Sequence, residues 1–312
     1  MKHLAAFLLS RLTQIRIASF YLSMFFIVIA LLGVLAKGIN FGLDFTGGYL
    51  TEFSFNQPLA KEVVTKHLEQ HLTGPFELSS GQSGHYWTLR QADDGASVIA
   101  KEWFDPFAQT LSAQLGLTVT LQDSVYIGSQ IGDELINQGG LALMAAIMAI
   151  LFYLSFRFEW RLALGAVAAL FHDVIIVIGV FAWFGISFDL TILASLLAII
   201  GYSLNDSIVI GDKIRELMQQ NAKLDKPLDQ LINSAIKATM LRTVITSGTT
   251  LVTIVSVWLL AGASLSGFAT ALFTGVIMGT FSSIAILATV PQLVGLTVDY
   301  YQRKQEIGCD LP

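Results

Sequence analysis

The chain has 312 residues, of which 54% are hydrophobic and only 13% are charged, and its net charge is −5. Because soluble globular proteins contain about 25% charged residues, this composition indicates a protein that lies in a membrane. The acidic balance and the absence of a basic stripe with interleaved aromatic residues exclude a nucleic-acid-binding protein. The single cysteine, Cys309, excludes a disulfide within the chain.

The first apolar run, residues 17–36, has the roughly 20 residues that a helix needs to cross the hydrocarbon core of a bilayer. Basic residues precede it, as in a signal peptide, but no small-residue cleavage site closes the run. We therefore expect an uncleaved first membrane helix that follows a cytoplasmic segment at 1–16.

Five further apolar runs pass the same length criterion, and the basic residues indicate their orientation. The predicted membrane helices 2 to 6 cover residues 139–156, 162–184, 190–211, 241–261 and 267–290. The short connections near 185–189 and 262–266 contain no Lys or Arg, so the positive-inside rule places them outside. The loop 212–240, the tail 291–312 and the N-terminus are then cytoplasmic.

Residues 37–138 differ in composition, because charged and amide residues return and the hydrophobic periodicity shortens. Alternation predicts strands here, and apolar stripes predict helices. In chain order the expected elements are a strand at 49–55, a helix at 59–72, strands near 75–80 and 85–90, a helix at 97–115 and a strand at 117–126. This βαββαβ order predicts a ferredoxin-like α/β domain outside the membrane, between the first two helices of an α-helical membrane protein with six transmembrane helices.

Charged side chains inside the predicted membrane helices carry the functional signal, because each costs roughly 2.5–3.5 kcal/mol at the centre of a bilayer. Asp173 lies about 16 Å into the third helix, near the midplane, and His172 is adjacent to it. We weigh two interpretations of this pair: a relay that carries protons, or a neutral packing pair joined by a hydrogen bond.

The fourth predicted helix carries Asp206 about 9 Å from its cytoplasmic end, with Asn205 beside it. Tyr202 precedes Asp206 by four residues and lies on the same face of the helix. We also expect Tyr202 to form one polar stripe with threonines of the fifth predicted helix. A carboxylate in apolar surroundings can both gain and lose a proton. We therefore expect Asp206 to lie on a proton pathway.

The fifth predicted helix carries Arg242 about 7.5 Å deep, at nearly the depth of Asp206. A polar stripe continues from Arg242 through Thr246, Thr249 and Thr253 at steps of four and three residues. An arginine near a helix end can also extend its side chain to the lipid headgroups. The matching depth favours an Asp206–Arg242 pair that a proton on the acid would switch.

No enzyme motif is present in the sequence. There is no phosphate-binding loop, dinucleotide fingerprint, H-E-x-x-H sequence or Cys/His cluster. We therefore predict no catalytic residue, no metal site and no cofactor.

Four segments together resemble the SecF family, which belongs to the wider resistance–nodulation–division group of transporters. Residues 41–48 (FGLDFTGG) follow the first helix, 171–174 (FHDV) lie in the third, 201–207 (GYSLNDS) lie in the fourth and 241–250 open the fifth. The resemblance extends over essentially the whole chain.

The resemblance implies a bacterial inner-membrane subunit that pairs with SecD and assists the SecYEG translocon, using proton flow to pull unfolded preproteins outward. The intramembrane acid and base of the family map onto Asp206 and Arg242, with Asn205 beside the acid. The His-Asp pair of the family maps onto His172 and Asp173.

The family signature after the first helix maps onto Asp44, Gly47 and Gly48, which we expect to be structural at the base of the external domain. Two other functions stay open: an exporter of small molecules or lipids from the same broad group, and a purely structural scaffold. The coupling ion also stays open between protons and sodium ions.

Overall fold

The structure is a computed structural model that describes residues 11–297 except 73, 75, 82–83, 93–99, 221–225 and 262–264. In chain order its elements are α1 (Leu12–Lys37), α2 (Leu43–Thr46), β1 (Gly48–Phe55), α3 (Lys61–Leu68), β2 (Phe76–Ser80), β3 (Tyr86–Ala92), α4 (Ala100–Leu115), β4 (Val119–Ile127), α5 (Ser129–Arg157), α6 (Trp160–Phe184), α7 (Leu190–Gln220), α8 (Leu228–Leu260), α9 (Ser266–Ala285) and α10 (Val290–Leu293). Cys309, the first ten residues and most of the predicted C-terminal tail lie outside the described residues.

Six helical segments of the described chain are long and apolar enough to cross a membrane: α1, α5, α6, α7, α8, and α9 together with α10. This confirms the prediction of a mostly helical, multi-pass membrane protein. The connection predicted at 212–240 is largely helical, because α7 continues to Gln220 and α8 begins at Leu228. Apolar residues stabilise these extensions, since Met218 and Ile232 belong to a buried cluster of the bundle.

The centre of the bundle consists of α6, α7 and α9, whereas α5 and α8 are mostly uncovered. Small residues allow the helices to approach closely. A Cβ at Gly179 of α6 would lie 2.3 Å from the Cβ of Ala30 in α1. A Cβ at Gly275 of α9 would lie 2.4 Å from Cγ1 of Ile199 in α7. The helix packing therefore depends on the missing side chains at these positions.

Between α1 and α5 the chain forms a four-stranded antiparallel sheet with the strand order β2-β3-β1-β4. Helices α3 and α4 cover one face, and the core between them contains Phe53, Trp87 and Phe107, each at most 2% exposed. The elements follow the predicted βαββαβ order, which supports the expected α/β domain in part. Helix α3 is shorter than predicted at its start, because the N–H of Leu59 bonds the carbonyl of Gly84 instead.

Replacing Gly179 with Ala should destabilise the bundle by about 1–3 kcal/mol, because the added methyl group overlaps Ala30 unless α1 moves. Gly201→Ala is the matched control, since a Cβ at Gly201 would meet no described atom within 4 Å. Thermal unfolding of both variants in detergent measures the difference. Equal unfolding temperatures would contradict the close packing of α1 on α6.

Candidate functional site

The carboxylate of Asp173, fully buried in α6, joins three helices. Its Oδ1 lies 2.8 Å from Nδ1 of His172. Its Oδ2 accepts hydrogen bonds from Ser203 Oγ of α7 at 2.5 Å and from Ser282 Oγ of α9 at 3.0 Å. Gly279 leaves room for this junction, because a Cβ there would lie 3.2 Å from the Cβ of Ser203. Asp173 therefore connects α7 and α9 to α6 through well-satisfied hydrogen bonds.

A chain of hydroxyl groups forms a second connection between helices. The hydroxyl of Tyr202 in α7 donates to Ser247 Oγ of α8 at 3.1 Å. Ser247 Oγ in turn lies 2.7 Å from Thr280 Oγ1 of α9. Helices α7 and α8 are consecutive and antiparallel. Asp206 lies one turn after Tyr202 on α7, and Thr243 lies one turn before Ser247 on α8, so Asp206 and Thr243 are level with each other.

Asp206 is only 3% exposed, and its Oδ2 has no hydrogen-bond partner among the described residues. Two further buried hydroxyls, Ser207 Oγ of α7 and Thr243 Oγ1 of α8, also have no partner within the part of the chain that the structure describes. Buried polar atoms are normally hydrogen-bonded. Because Thr243 is level with Asp206, the unpartnered atoms of these two residues mark a polar site between α7 and α8, which is suited to gaining a proton or binding water.

Arg242 precedes Thr243 on α8 and is exposed. It makes no ion pair within 4.0 Å with any described residue, although it lies one residue before Thr243, which is level with Asp206. Asn205 also lies at the surface, beside the buried Asp206. The structure thus places the predicted acid and base near each other without a direct salt bridge.

The predicted polar stripe on α8 lies mostly on the outer surface of the bundle. Thr249 and Thr253 are exposed and Thr246 is half-buried. Each of these hydroxyls donates to a backbone carbonyl of the preceding turn. Tyr202 is not part of this stripe, because its hydroxyl contacts Ser247 on the face of α8 that packs against α7.

The predicted structural motif connects the external domain to α7. Asp44 Oδ2 accepts a hydrogen bond at 3.0 Å from the N–H of Leu190, the first residue of α7. Gly47 and Gly48 have φ angles of 72° and 140°, which L side chains rarely adopt. The motif therefore forms a tight turn that reaches the helix carrying Asp206.

Several polar residues of this site were not predicted from the sequence. Ser282 lies three residues after Gly279 in an apolar helix, and Thr243 and Ser247 lie beside residues of the predicted stripe. A hydroxyl on the packed face of a membrane helix is the signal that would have identified them. Among the described residues, no group of three or more His, Cys, Asp or Glu side chains is arranged to hold a metal ion.

Two family models match the chain. Residues 108–295 match the model described as "Protein export membrane protein SecD/SecF, C-terminal", and residues 33–59 match the "SecD/SecF GG Motif". The second match includes Asp44, Gly47 and Gly48. Together with six candidate membrane spans, these matches define a protein-export membrane protein.

The curated relatives are described as "Protein translocase subunit SecF". The chain is 41% identical to the Pseudomonas aeruginosa protein over 91% of this chain and 90% of that protein. It is 38% identical to the Vibrio alginolyticus protein over 92% and 90% of the two chains. It is 36% identical to the Escherichia coli O157:H7 protein over 91% and 87%. The chain belongs to the SecF family.

The fold is also similar to solved SecDF structures. The crystal structure of SecDF from Thermus thermophilus, a translocon-associated membrane protein, matches with a TM-score of 0.75 and 29% identity. A crystal structure of SecDF in the super-membrane-facing form matches with a TM-score of 0.64 and 28% identity. These matches cover 92% and 96% of this chain but only 38% and 39% of the SecDF chains.

Replacing Asp173 with Ala should lower the free energy of unfolding by about 3–5 kcal/mol, because the buried hydroxyl of Ser203 loses its acceptor and the buried His172 loses its charged neighbour. Ser282→Ala removes one donor only and should cost about 1 kcal/mol. Ser256→Ala is the control, because this exposed hydroxyl bonds only the carbonyl of Val252 in its own helix. Thermal unfolding in detergent ranks the three variants, and an Asp173→Ala protein as stable as the Ser256→Ala protein would contradict the junction.

Proposed function

We propose that this chain is the SecF half of a proton-driven accessory motor that assists the SecYEG translocon in moving unfolded preproteins across the bacterial inner membrane. The observation that carries the proposal is Asp206, a buried acid with an unpartnered carboxylate oxygen inside a membrane bundle. Intramembrane acids of this kind are typical of proton relays in pumps and transporters.

The electrostatics of the site support a switch. An ionised Asp206 would compensate the charge of the Arg242 guanidinium on the adjacent helix, and a protonated Asp206 would leave that guanidinium without a compensating charge. Proton occupancy therefore changes the interaction between α7 and α8. Each charge that crosses the membrane supplies about 2.3 kcal/mol per 100 mV. Asn205, Tyr202, His172 and Asp173 extend the polar groups available to this pathway.

The outer face of α8 favours SecD as the partner. Exposed Arg242 and the exposed hydroxyls of Thr249 and Thr253 lie on a helix that is mostly uncovered by this chain. A guanidinium at membrane depth is costly against lipid and needs protein or water around it. We infer that SecD helices cover this face, so that the proton pathway runs between the two subunits. This chain covers only 38% of the solved SecDF chain, whose remainder is long enough to include a SecD half.

The proposal also includes the orientation of the chain in the membrane. We place the α/β domain between α1 and α5 in the periplasm, as a ferredoxin-like domain, with both chain termini in the cytoplasm. This orientation follows from the basic residues near the ends of the predicted spans. The preprotein then emerges on the side of the membrane where the domain lies.

Replacing Asp206 with Asn should leave the complex assembled but abolish the proton-gradient-dependent part of preprotein export. The amide keeps the shape and hydrogen-bonding capacity of the acid, but it cannot gain or lose a proton near neutral pH. Export of a radiolabelled preprotein into sealed membrane vesicles, with and without a proton gradient, measures the effect.

Asp212→Asn is the matched control on the same helix, where the carboxylate pairs with Arg157 at the end of the bundle. It should keep the response to the gradient. Normal gradient-dependent export by the Asp206→Asn complex would refute the proposed function. Full export with a sodium gradient in place of the proton gradient would refute protons as the coupling ion.

Cysteine crosslinking should locate SecD on the polar face of α8. We expect Thr249→Cys to form a crosslink to a cysteine-scanned SecD helix in membranes. Val244→Cys is the control, because it is also exposed but points about 140° away around the helix. Crosslinking at position 244 and none at position 249 would place the partner on another face.

A further inference from the structure

We propose that α2, the four-residue helical turn Leu43–Thr46, is the mechanical link between α7 and the external sheet, and that Asp44 and Gly132 are its positioning residues. The inference rests on the proposed function, because it supplies the step between a proton at Asp206 and movement of the external domain. Four sets of contacts around α2 carry it.

The first set binds α2 to the start of α7. Asp189 Oδ1 accepts hydrogen bonds from the N–H groups of Thr191 and Ile192, at 2.9 and 3.1 Å. The N–H of Leu190 is instead bonded by Asp44, which belongs to α2. The amide groups at a helix start need acceptors, and carboxylates there interact favourably with the helix dipole. The N-terminal cap of α7 is therefore completed by a residue of the domain linker.

The second set fixes the backbone on both sides of this cap. The N–H of Gly42 donates to the carbonyl of Phe188 at 2.8 Å, and the N–H of Phe188 donates to the carbonyl of Asn40 at 2.7 Å. The rings of Phe45 and Phe188 are stacked with centroids 6.1 Å apart. The segment that leads into α7 is therefore bound to the segment that leads into α2.

The third set joins α2 directly to the sheet. The N–H of Gly47 bonds the carbonyl of Leu43 at 2.9 Å, which closes the turn. The next residue, Gly48, is the first of β1 and is paired with Ile127 of β4. Strand β1 is a central strand of the sheet. No free linker therefore separates α2 from the sheet, so a displacement of α2 must move β1.

The fourth set involves the chain as it returns to the membrane. Helix α5 begins one residue after β4 and packs on α2 at Gly132. A Cβ at Gly132 would lie 2.4 Å from the carbonyl oxygen of Phe45 and 2.9 Å from its carbonyl carbon. The segment that enters the external domain and the segment that leaves it therefore both contact α2, although the two segments are far apart in sequence.

Helix α7 carries Asp206 and contacts α2 at its start, so a shift of α7 would be transmitted to α2. Asp206 lies 16 residues, or about 24 Å along a continuous helix, from Leu190. A helix transmits a small axial shift along its length because its backbone hydrogen bonds resist compression. A shift of α7 that follows protonation of Asp206 would therefore move Asp44, then Gly47 and Gly48, then β1.

The first experiment tests the link without any transport assay. In the purified complex with SecD, Gly132→Ala should displace α2 and raise hydrogen–deuterium exchange of the amides at 190–192 by about fivefold. Gly140→Ala, eight residues further along α5, is the matched control, since a Cβ there would meet no described atom within 4 Å. Unchanged exchange at 190–192 in the Gly132→Ala complex would overturn the proposed link.

The second experiment separates the link from a merely structural role. Asp44→Ala complexes in sealed vesicles should keep preprotein-dependent proton uptake within about twofold, while gradient-dependent export falls by about tenfold. Asp44→Asn keeps an acceptor oxygen for the N–H of Leu190 and should restore much of the export. Loss of both activities together, or retention of both, would overturn the assignment of Asp44 as a coupling residue.

The two experiments also distinguish failure of this inference from failure of the proposed function. If Asp206→Asn complexes export normally, the proton-driven motor is refuted. The exchange experiment on Gly132→Ala still decides whether α2 joins α7 to the external domain.

Discussion

Hydrocarbon offers no hydrogen-bond partners, so every polar side chain in the bundle must find its partners within protein. The Asp173 carboxylate meets this requirement with hydroxyls of Ser203 and Ser282 from two other helices. The arrangement of α6, α7 and α9 depends on this junction, because α7 and α9 each contribute a hydroxyl to the same buried carboxylate of α6. Gly279 and the other small residues matter because they bring these helices close enough to bond.

Asp206 is the contrasting case in the next turn of α7. Oδ2 of its carboxylate and the hydroxyls of Ser207 and Thr243 are buried without partners among the described residues, so no described side chain fixes their hydrogen-bonding state. The bundle therefore contains one acid, Asp173 of α6, that is held by its neighbours, and one, Asp206 of α7, whose Oδ2 has no partner among the described residues. Asp206 is therefore the acid whose protonation the described contacts constrain least, while Asp173 also holds three helices together.

The sequence was sufficient for the six apolar helices, because length and apolar character alone decide whether a helix can span a bilayer. The order of strands and helices in the external domain also followed from periodicity. The contacts of Asp44 with Leu190 and of Gly132 with Phe45 could not be predicted, because they join positions far apart in sequence. For the same reason the sequence placed Tyr202 with the threonine stripe, whereas the structure pairs it with Ser247.

The row of hydroxyls formed by Tyr202, Ser247 and Thr280 ties together α7, α8 and α9, and none of these side chains carries a charge at neutral pH. These hydrogen bonds therefore do not depend on whether the neighbouring Asp206 carries a proton. The row couples α7 to α8 and α9 in both protonation states of that acid. An axial shift of α7 would then load these two helices through the row at the same time as it reaches the external domain through Asp44.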